Sequence, residues 1–180
     1  GKMAELSDAG IPIHFFVGNH DMWMSGYFER EMNIPVFHEP QEYIFNDKKF
    51  LIGHVDGLGP GDKGYKFLKK IFRNPLCQFL FGLIPPYFGI SLASYSSRSS
   101  RSVTGGSDEK FLGEDKEWLI QYSRKKLNEK HIDFFVFGHR HLPIDFSLDE
   151  KSRYINLGDW IKYNSYAMFD GERLFLKYDE

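Results

Sequence analysis

The sequence predicts a layered α/β fold with mixed sheets and a helical insertion between two of the strands. Three observations carry this. Short apolar runs of strand length alternate with amphipathic stretches of helical spacing. Three of the runs end at or near a glycine that is followed by polar, chemistry-bearing residues. The chain then closes on short alternating segments separated by turns, the pattern of antiparallel strands.

Taken in order, the first apolar positions read as the last turns of a helix that Gly10 ends. Ile11-Pro12-Ile13-His14-Phe15-Phe16-Val17 follows as a buried strand that delivers Gly18-Asn19-His20-Asp21 to a sheet edge. A short helix is expected over residues 25–32. Glu42-Tyr43-Ile44-Phe45 and Lys49-Phe50-Leu51-Ile52 flank Asn46-Asp47-Lys48 as a hairpin, and its second strand runs into Gly53-His54-Val55-Asp56. Residues 63–101 turn helical, with Phe67, Leu68, Ile71 and Phe72 at helical spacing and a second apolar group at Leu76, Phe79, Leu80 and Leu83. Gly105-Gly106-Ser107 is a break. Residues 114–130 form an amphipathic helix with Trp118, Leu119, Tyr122 and Leu127 inward. Ile132-Asp133-Phe134-Phe135-Val136-Phe137 is a buried strand ending in Gly138-His139-Arg140-His141, and residues 153–157, 166–169 and 174–178 close the chain as strands, the last two joined at Asp170-Gly171.

Composition narrows the function classes. The chain has 180 residues, suiting one domain, with 42% hydrophobic and 27% charged content, which excludes disordered and collagen-like architectures. A net charge of −2 argues against a dedicated nucleic-acid binder. Cys77 is the single cysteine, so neither an internal disulfide nor a cysteine zinc site can form from these residues, and the cytoplasm is the expected compartment. The greasiest stretch, residues 76–90, is interrupted by Gln78, Gly82 and Pro85-Pro86 and does not read as a membrane span. The 17% aromatic content, with 18 Phe, exceeds what a small core needs and suggests contact with a greasy ligand.

Asn19, His54, His139 and His141 each follow a glycine and an apolar strand, so the fold would project four potential metal ligands from adjacent strand ends, where open α/β sheets bind their ligands. Imidazole with amide and carboxylate oxygens suits Mn, Fe or Zn, and a His-x-His pair can serve two ions. Each piece has a plainer reading. Asn19-His20-Asp21 alone fits an Asx turn capping the next helix, a lone His54 fits a half-buried histidine, and Gly-His-Arg-His is a short motif. His14, His38 and His131 lack such context and read as structural.

Gly-Asn-His-Asp, then Gly-His, then Gly-His-x-His resembles the later motifs of the calcineurin-like metallophosphoesterases. Gly53-His54-Val55-Asp56 with Asp62 beyond it, the helical insertion, and Gly158-Asp159-Trp160 are similar to one branch, the UDP-2,3-diacylglucosamine hydrolases of lipid A synthesis. The resemblance covers essentially the whole chain. It implies the layered mixed sheets of that fold in a single domain over residues 1–180, with a lid insertion at about 63–104 over an acyl-chain chamber. It also implies attack at the α-phosphorus by hydroxide activated at a two-metal Mn²⁺ site, yielding UMP and 2,3-diacylglucosamine 1-phosphate. By position, Asn19, His54 and His139 would bind one metal and His141 its neighbour. His20 would contact the phosphate, Asp21 would orient His20, and Asp56 and Asp62 would lie beside the substrate. Phe67, Phe72, Phe79, Phe81 and Phe88 would wall the chamber, while Lys66, Lys69, Lys70, Arg73, Arg98 and Arg101 would face phosphate or anionic lipid. Composition alone favours an ordinary helical hairpin with a solvated lysine face. The implied partners are the acylated UDP-sugar and the inner-membrane surface, with peripheral attachment on its cytoplasmic side; nothing in the residues sets the oligomeric state.

Two departures stand out. The family's earlier motifs, Asp-x-His and Gly-Asp-x-x-Asp, do not occur in these residues, so the expectation is that N-terminal strands are missing, a sheet edge is open and this chain turns over weakly. Val55 stands where the family has Gly between His and Asp, and a left-handed backbone there would cost about 1–3 kcal/mol. Two other functions are compatible with the residues: a metallophosphoesterase acting on another nucleotide-sugar or phosphodiester, or a non-catalytic remnant that binds lipid or a partner.

Overall fold

The structure, a computed structural model, describes residues 1–57, 63–104 and 110–179, with side chains of 63–65 and 96–104 outside that description. In chain order its elements are α1 (Lys2–Asp8), β1 (Phe15–Phe16), α2 (Tyr27–Met32), β2 (Val36–Phe37), β3 (Gln41–Phe45) and β4 (Lys48–Gly53). There follow α3 (Lys63–Phe72), α4 (Pro75–Gly82), α5 (Pro86–Thr104) and α6 (Trp118–Glu129). The remaining strands are β5 (Phe134–Phe137), β6 (Pro143–Ser147), β7 (Arg153–Leu157), β8 (Ser165–Phe169) and β9 (Leu174–Tyr178). This is the expected mixed α/β architecture with a helical insertion between β4 and α6.

The central sheet has the order β3-β4-β5-β7-β6. Its middle strands β4, β5 and β7 run parallel, and each outer strand returns antiparallel. Alternation decides the two faces. Leu51, Phe135, Phe137 and Tyr154 pack with Leu119 and Ile120 of α6 on one side. Phe50, Phe134, Val136 and Ile155 meet Leu174 and the inner face of the β8–β9 ribbon on the other. All four residues of β5 are buried, which is why that strand reads as a continuous apolar run.

Local chemistry sets the element ends. Asn46 and Asp47 take φ of 47° and 62° between the paired Phe45 and Lys48, the two left-handed residues of a type I′ hairpin turn. Asn74 caps α4 by accepting from the amides of Leu76 and Cys77, with Pro75 at the first helical position. The amphipathic helix starts at Trp118 rather than 114, because the chain turns through Gly113 at φ 91° and Glu117 is its N-cap.

Two expectations are corrected. The run of residues 11–17 contributes only Phe15–Phe16 as strand, pairing in parallel with β2, which the sequence did not signal. The hairpin strand β6 was also missed, since Pro143 and the short alternation that follows gave a weak strand pattern.

The insertion is fastened at its base and open beyond it. Trp23 donates its indole N–H to the Phe72 carbonyl and meets the rings of Phe72 and Phe81 edge-on. Arg73 pairs with Glu39 and donates to the His38 carbonyl. Phe67, Phe79 and Phe88 are each more than 60% exposed, so that side of the hairpin is not ordinary core. Among the described residues no helix is long and apolar enough to cross a membrane.

Candidate active site

Parallel pairing of β4 with β5 puts their carboxyl ends side by side, with Gly53 opposite Phe137 in the register and the Gly138 amide donating to the Gly53 carbonyl at 3.2 Å. The next residues, His54 and His139, therefore emerge together, their ring centroids 5.2 Å apart. The chain leaving β1 passes Val17, whose amide is bonded to Phe37, and brings Asn19 to the same place. Asn19 Oδ1 lies 3.0 Å from His54 Nε2. Backbone crowds the His54 ring at two glycines: a β-carbon at Gly18 would stand 3.2 Å from its Cε1, and one at Gly138 would stand 3.2 Å from its Nδ1.

Burial, then the adjacent His139, lowers the His54 pKa to about 4, with the Asp56 charge opposing. His54 is thus neutral at physiological pH, as a metal-ligating imidazole must be. Asn19 Oδ1 and His54 Nε2 are joined at an ordinary hydrogen-bond distance, and an amide oxygen beside imidazole nitrogens is a donor set of the type divalent ions take. In this respect the donor set fits a divalent ion. It is incomplete as a cage: among the described residues no group of three His, Cys, Asp or Glu side chains is arranged to hold a metal, and Asn19 supplies an amide oxygen instead.

His141 stands at the mouth, half exposed, with Nδ1 3.4 Å from Asp159 Oδ2. Asp159 comes from the loop after β7, the third parallel strand to end here. Its burial raises the carboxyl pKa, but amide hydrogens of Lys162, Ile161 and Tyr163, and His141 itself, outweigh this and hold it below the usual carboxylate value. A carboxylate behind a histidine is the usual orienting partner of a metal-ligating ring. Sequence reasoning read Asp159 only as part of a motif, because its pairing with His141 is created by sheet topology. Trp118, also assigned only to the core, meets the His139 ring edgewise at 6.0 Å.

Asn19, His20, His54, His139 and His141 line one open cleft of about 470 Å³, with Trp160 and Tyr166 also in its lining. His20 is exposed at its rim. Asp21 turns back so that its carboxylate accepts from the Gly18 amide and shapes the loop; it neither closes an Asx turn, which would reach forward, nor caps the next helix, whose N-cap is Gly26. Asp56 is buried rather than open to the cleft and is paired with Lys69 of α3 at 3.0 Å. Lys69 and Arg73, expected to face phosphate or lipid, instead tie the insertion to the body of the fold. Asp62 lies outside the described residues, as do the side chains of Arg98 and Arg101, which sit on α5. His14 and His131 are occupied elsewhere, by the Tyr43 hydroxyl and Asp133 respectively.

No family model matches the chain. A UDP-2,3-diacylglucosamine hydrolase of Porphyromonas gingivalis is 36% identical over 195 aligned positions, covering 98% of this chain and 72% of that protein. The enzyme of the same name from Ectopseudomonas mendocina is 28% identical, with 96% of this chain and 71% of its own length covered. A third, from Yersinia pestis, is 26% identical over 82% of this chain and 60% of its length. A solution structure of a Thermotoga maritima protein superposes with a TM-score of 0.42 at 13% identity over 98% of this chain and 72% of its own, too slight a likeness to carry an argument. On the strength of the Porphyromonas relative, the chain belongs to the UDP-2,3-diacylglucosamine hydrolase family.

Proposed function

We propose that this chain hydrolyses the pyrophosphate bond of UDP-2,3-diacylglucosamine, a step of lipid A synthesis, releasing UMP and 2,3-diacylglucosamine 1-phosphate. The family supports the substrate, and one structural observation supports the chemistry: Asn19, His54 and His139 converge from three loops on one cleft, with neutral His54 held between two glycines. Asn19, His54 and His139 would hold one Mn²⁺, and His141, backed by Asp159, would face a second. When bound, such ions lower the pKa of water and neutralise charge on phosphoryl oxygens.

Water adds at the α-phosphorus, and the bridging oxygen departs on the phosphate that stays with the sugar. His20 at the cleft rim contacts the phosphate being displaced. Asp21 keeps the Gly18–Asn19 turn in shape through the Gly18 amide. The exposed faces of Phe67, Phe79 and Phe88 receive the acyl chains, and the same apolar side meets the cytoplasmic surface of the inner membrane, from which the substrate is drawn.

The test is UMP release from UDP-2,3-diacylglucosamine with Mn²⁺. Because these residues supply three ligands for one ion and a single imidazole for the other, turnover by this chain alone is expected to be slow. It should nonetheless vanish on chelation and in His54→Ala; turnover that survives both would overturn the proposal.

A further inference from the structure

The residue between the two site histidines turns away from the cleft. Arg140 is only 6% exposed, and its Nη2 donates to Glu117 Oε1 at 3.0 Å and to the Lys110 carbonyl at 2.7 Å. Glu117, the N-cap of α6, is 1% exposed and accepts from the Leu112 amide at 3.1 Å through the same oxygen. From the other side Asn156 of β7, fully buried, donates both hydrogens of its amide, to the Arg140 carbonyl at 2.6 Å and the Leu142 carbonyl at 2.7 Å. The backbone is therefore fastened on each side of His141. Two residues earlier, His139 takes φ of 73°, a left-handed conformation uncommon for residues other than glycine.

A buried ion pair is a poor source of stability, since desolvation cancels much of its attraction, and in some proteins its role is instead to specify a single geometry. Glu117 and Arg140 join the start of α6 to the loop that carries both histidines, and Trp118 beside Glu117 rests against the His139 ring. We propose that Arg140, Glu117 and Asn156 are positioning residues that hold loop 138–142 in the one conformation presenting His139 and His141 to the cleft. This rests on the reading of those two histidines as metal ligands.

Two variants test it. Glu117→Met with Arg140→Met replaces the pair by apolar groups of similar volume, and Asn156→Leu removes the two amide donors without adding charge. Amide hydrogen exchange is measured without metal, and Mn²⁺ affinity by calorimetry beside wild type and His139→Ala. The expected result is a double variant that keeps its melting temperature and the protection of β5 and α6. Its amides at 138–142 exchange at least about tenfold faster, and its Mn²⁺ Kd rises about 10–100-fold, the usual effect of removing outer partners of metal ligands. Asn156→Leu should loosen the same amides and weaken Mn²⁺ binding likewise, with a lower melting temperature because the Arg140 and Leu142 carbonyls lose their donor, and it decides alone if the double variant does not fold. Wild-type exchange at 138–142 overturns the proposal, as does a loosened loop with unchanged Kd. Equal Mn²⁺ binding by wild type and His139→Ala would sink the metal reading by itself, while metal-free exchange still decides whether the network holds the loop.

Discussion

His54 and Gly138, one step past the last paired residues of β4 and β5, stand so close that a β-carbon on residue 138 would lie 3.2 Å from His54 Nδ1. The imidazole is flanked on its other side by Gly18, where an added β-carbon would approach Nε2 to 3.3 Å. Both glycines let backbone approach the ring closely, so their substitution acts on the site before it acts on the core.

Gly138→Ala and Gly18→Ala should each weaken Mn²⁺ binding, by about tenfold, because the ring must move a few tenths of an ångström from where Asn19 meets it. The melting temperature should fall only slightly. Calorimetry with thermal unfolding on the same samples checks this, and an unchanged Kd in both variants would show that the ring accommodates the methyl.

Val55, next to His54, takes φ of 65° and is 4% exposed. A β-branched residue in that conformation costs about 1–3 kcal/mol, and deleting its buried side chain costs about as much. Val55→Gly is therefore expected to leave stability nearly unchanged while freeing the loop to present His54, so that Mn²⁺ binds more tightly. An identical Kd would refute the view that strain at Val55 hinders the site.

Lys69 on α3 and Asp56 in the loop after His54 are paired at 3.0 Å with side chains 17% and 7% exposed. Removing the cation leaves a buried carboxylate short of its counter-charge, which costs up to about 3 kcal/mol. Lys69→Met should lower the melting temperature and expose α3–α5 to limited proteolysis before the central sheet. Cleavage at the wild-type rate would mean that Trp23 and Arg73 suffice to hold the insertion.

Asp133 gives the pH dependence. Burial raises its pKa, but the Lys49 amide at 2.8 Å and the His131 and Lys48 charges outweigh that and hold it below the ordinary carboxylate value. A carboxylate whose folded pKa lies below its unfolded one, about 3.9, stabilises fully above the unfolded value and loses that contribution as pH falls through the folded one. Asp133→Asn should therefore lower stability near neutrality and flatten its decline below about pH 4. Equal loss of stability in both proteins across that window would show the carboxylate to be neutral in the balance.

Much of the fold was legible because its signals are local. Asn46-Asp47 announced a hairpin by tolerating left-handed φ, and the unbroken apolar run before Gly138 announced a central strand. The strands β1 and β2 were not legible as a pair, since two residues of parallel pairing leave no period to detect. Likewise the resemblance puts Asp56 beside the substrate but does not announce its buried pairing with Lys69, a contact between segments that no spacing rule connects.

By itself the sequence determined which side chains have metal-ligand chemistry and that each of Asn19, His54, His139 and His141 follows an apolar segment and a glycine, because apolar periodicity and glycine placement are written residue by residue. Tertiary structure alone decided that His54 sits between Gly18 and Gly138, that Asp159 backs His141, and that Arg140 is turned inward to Glu117. Those relationships depend on the register of parallel strands and on helix packing across the sheet, and their free energy comes from burying groups far apart in the chain.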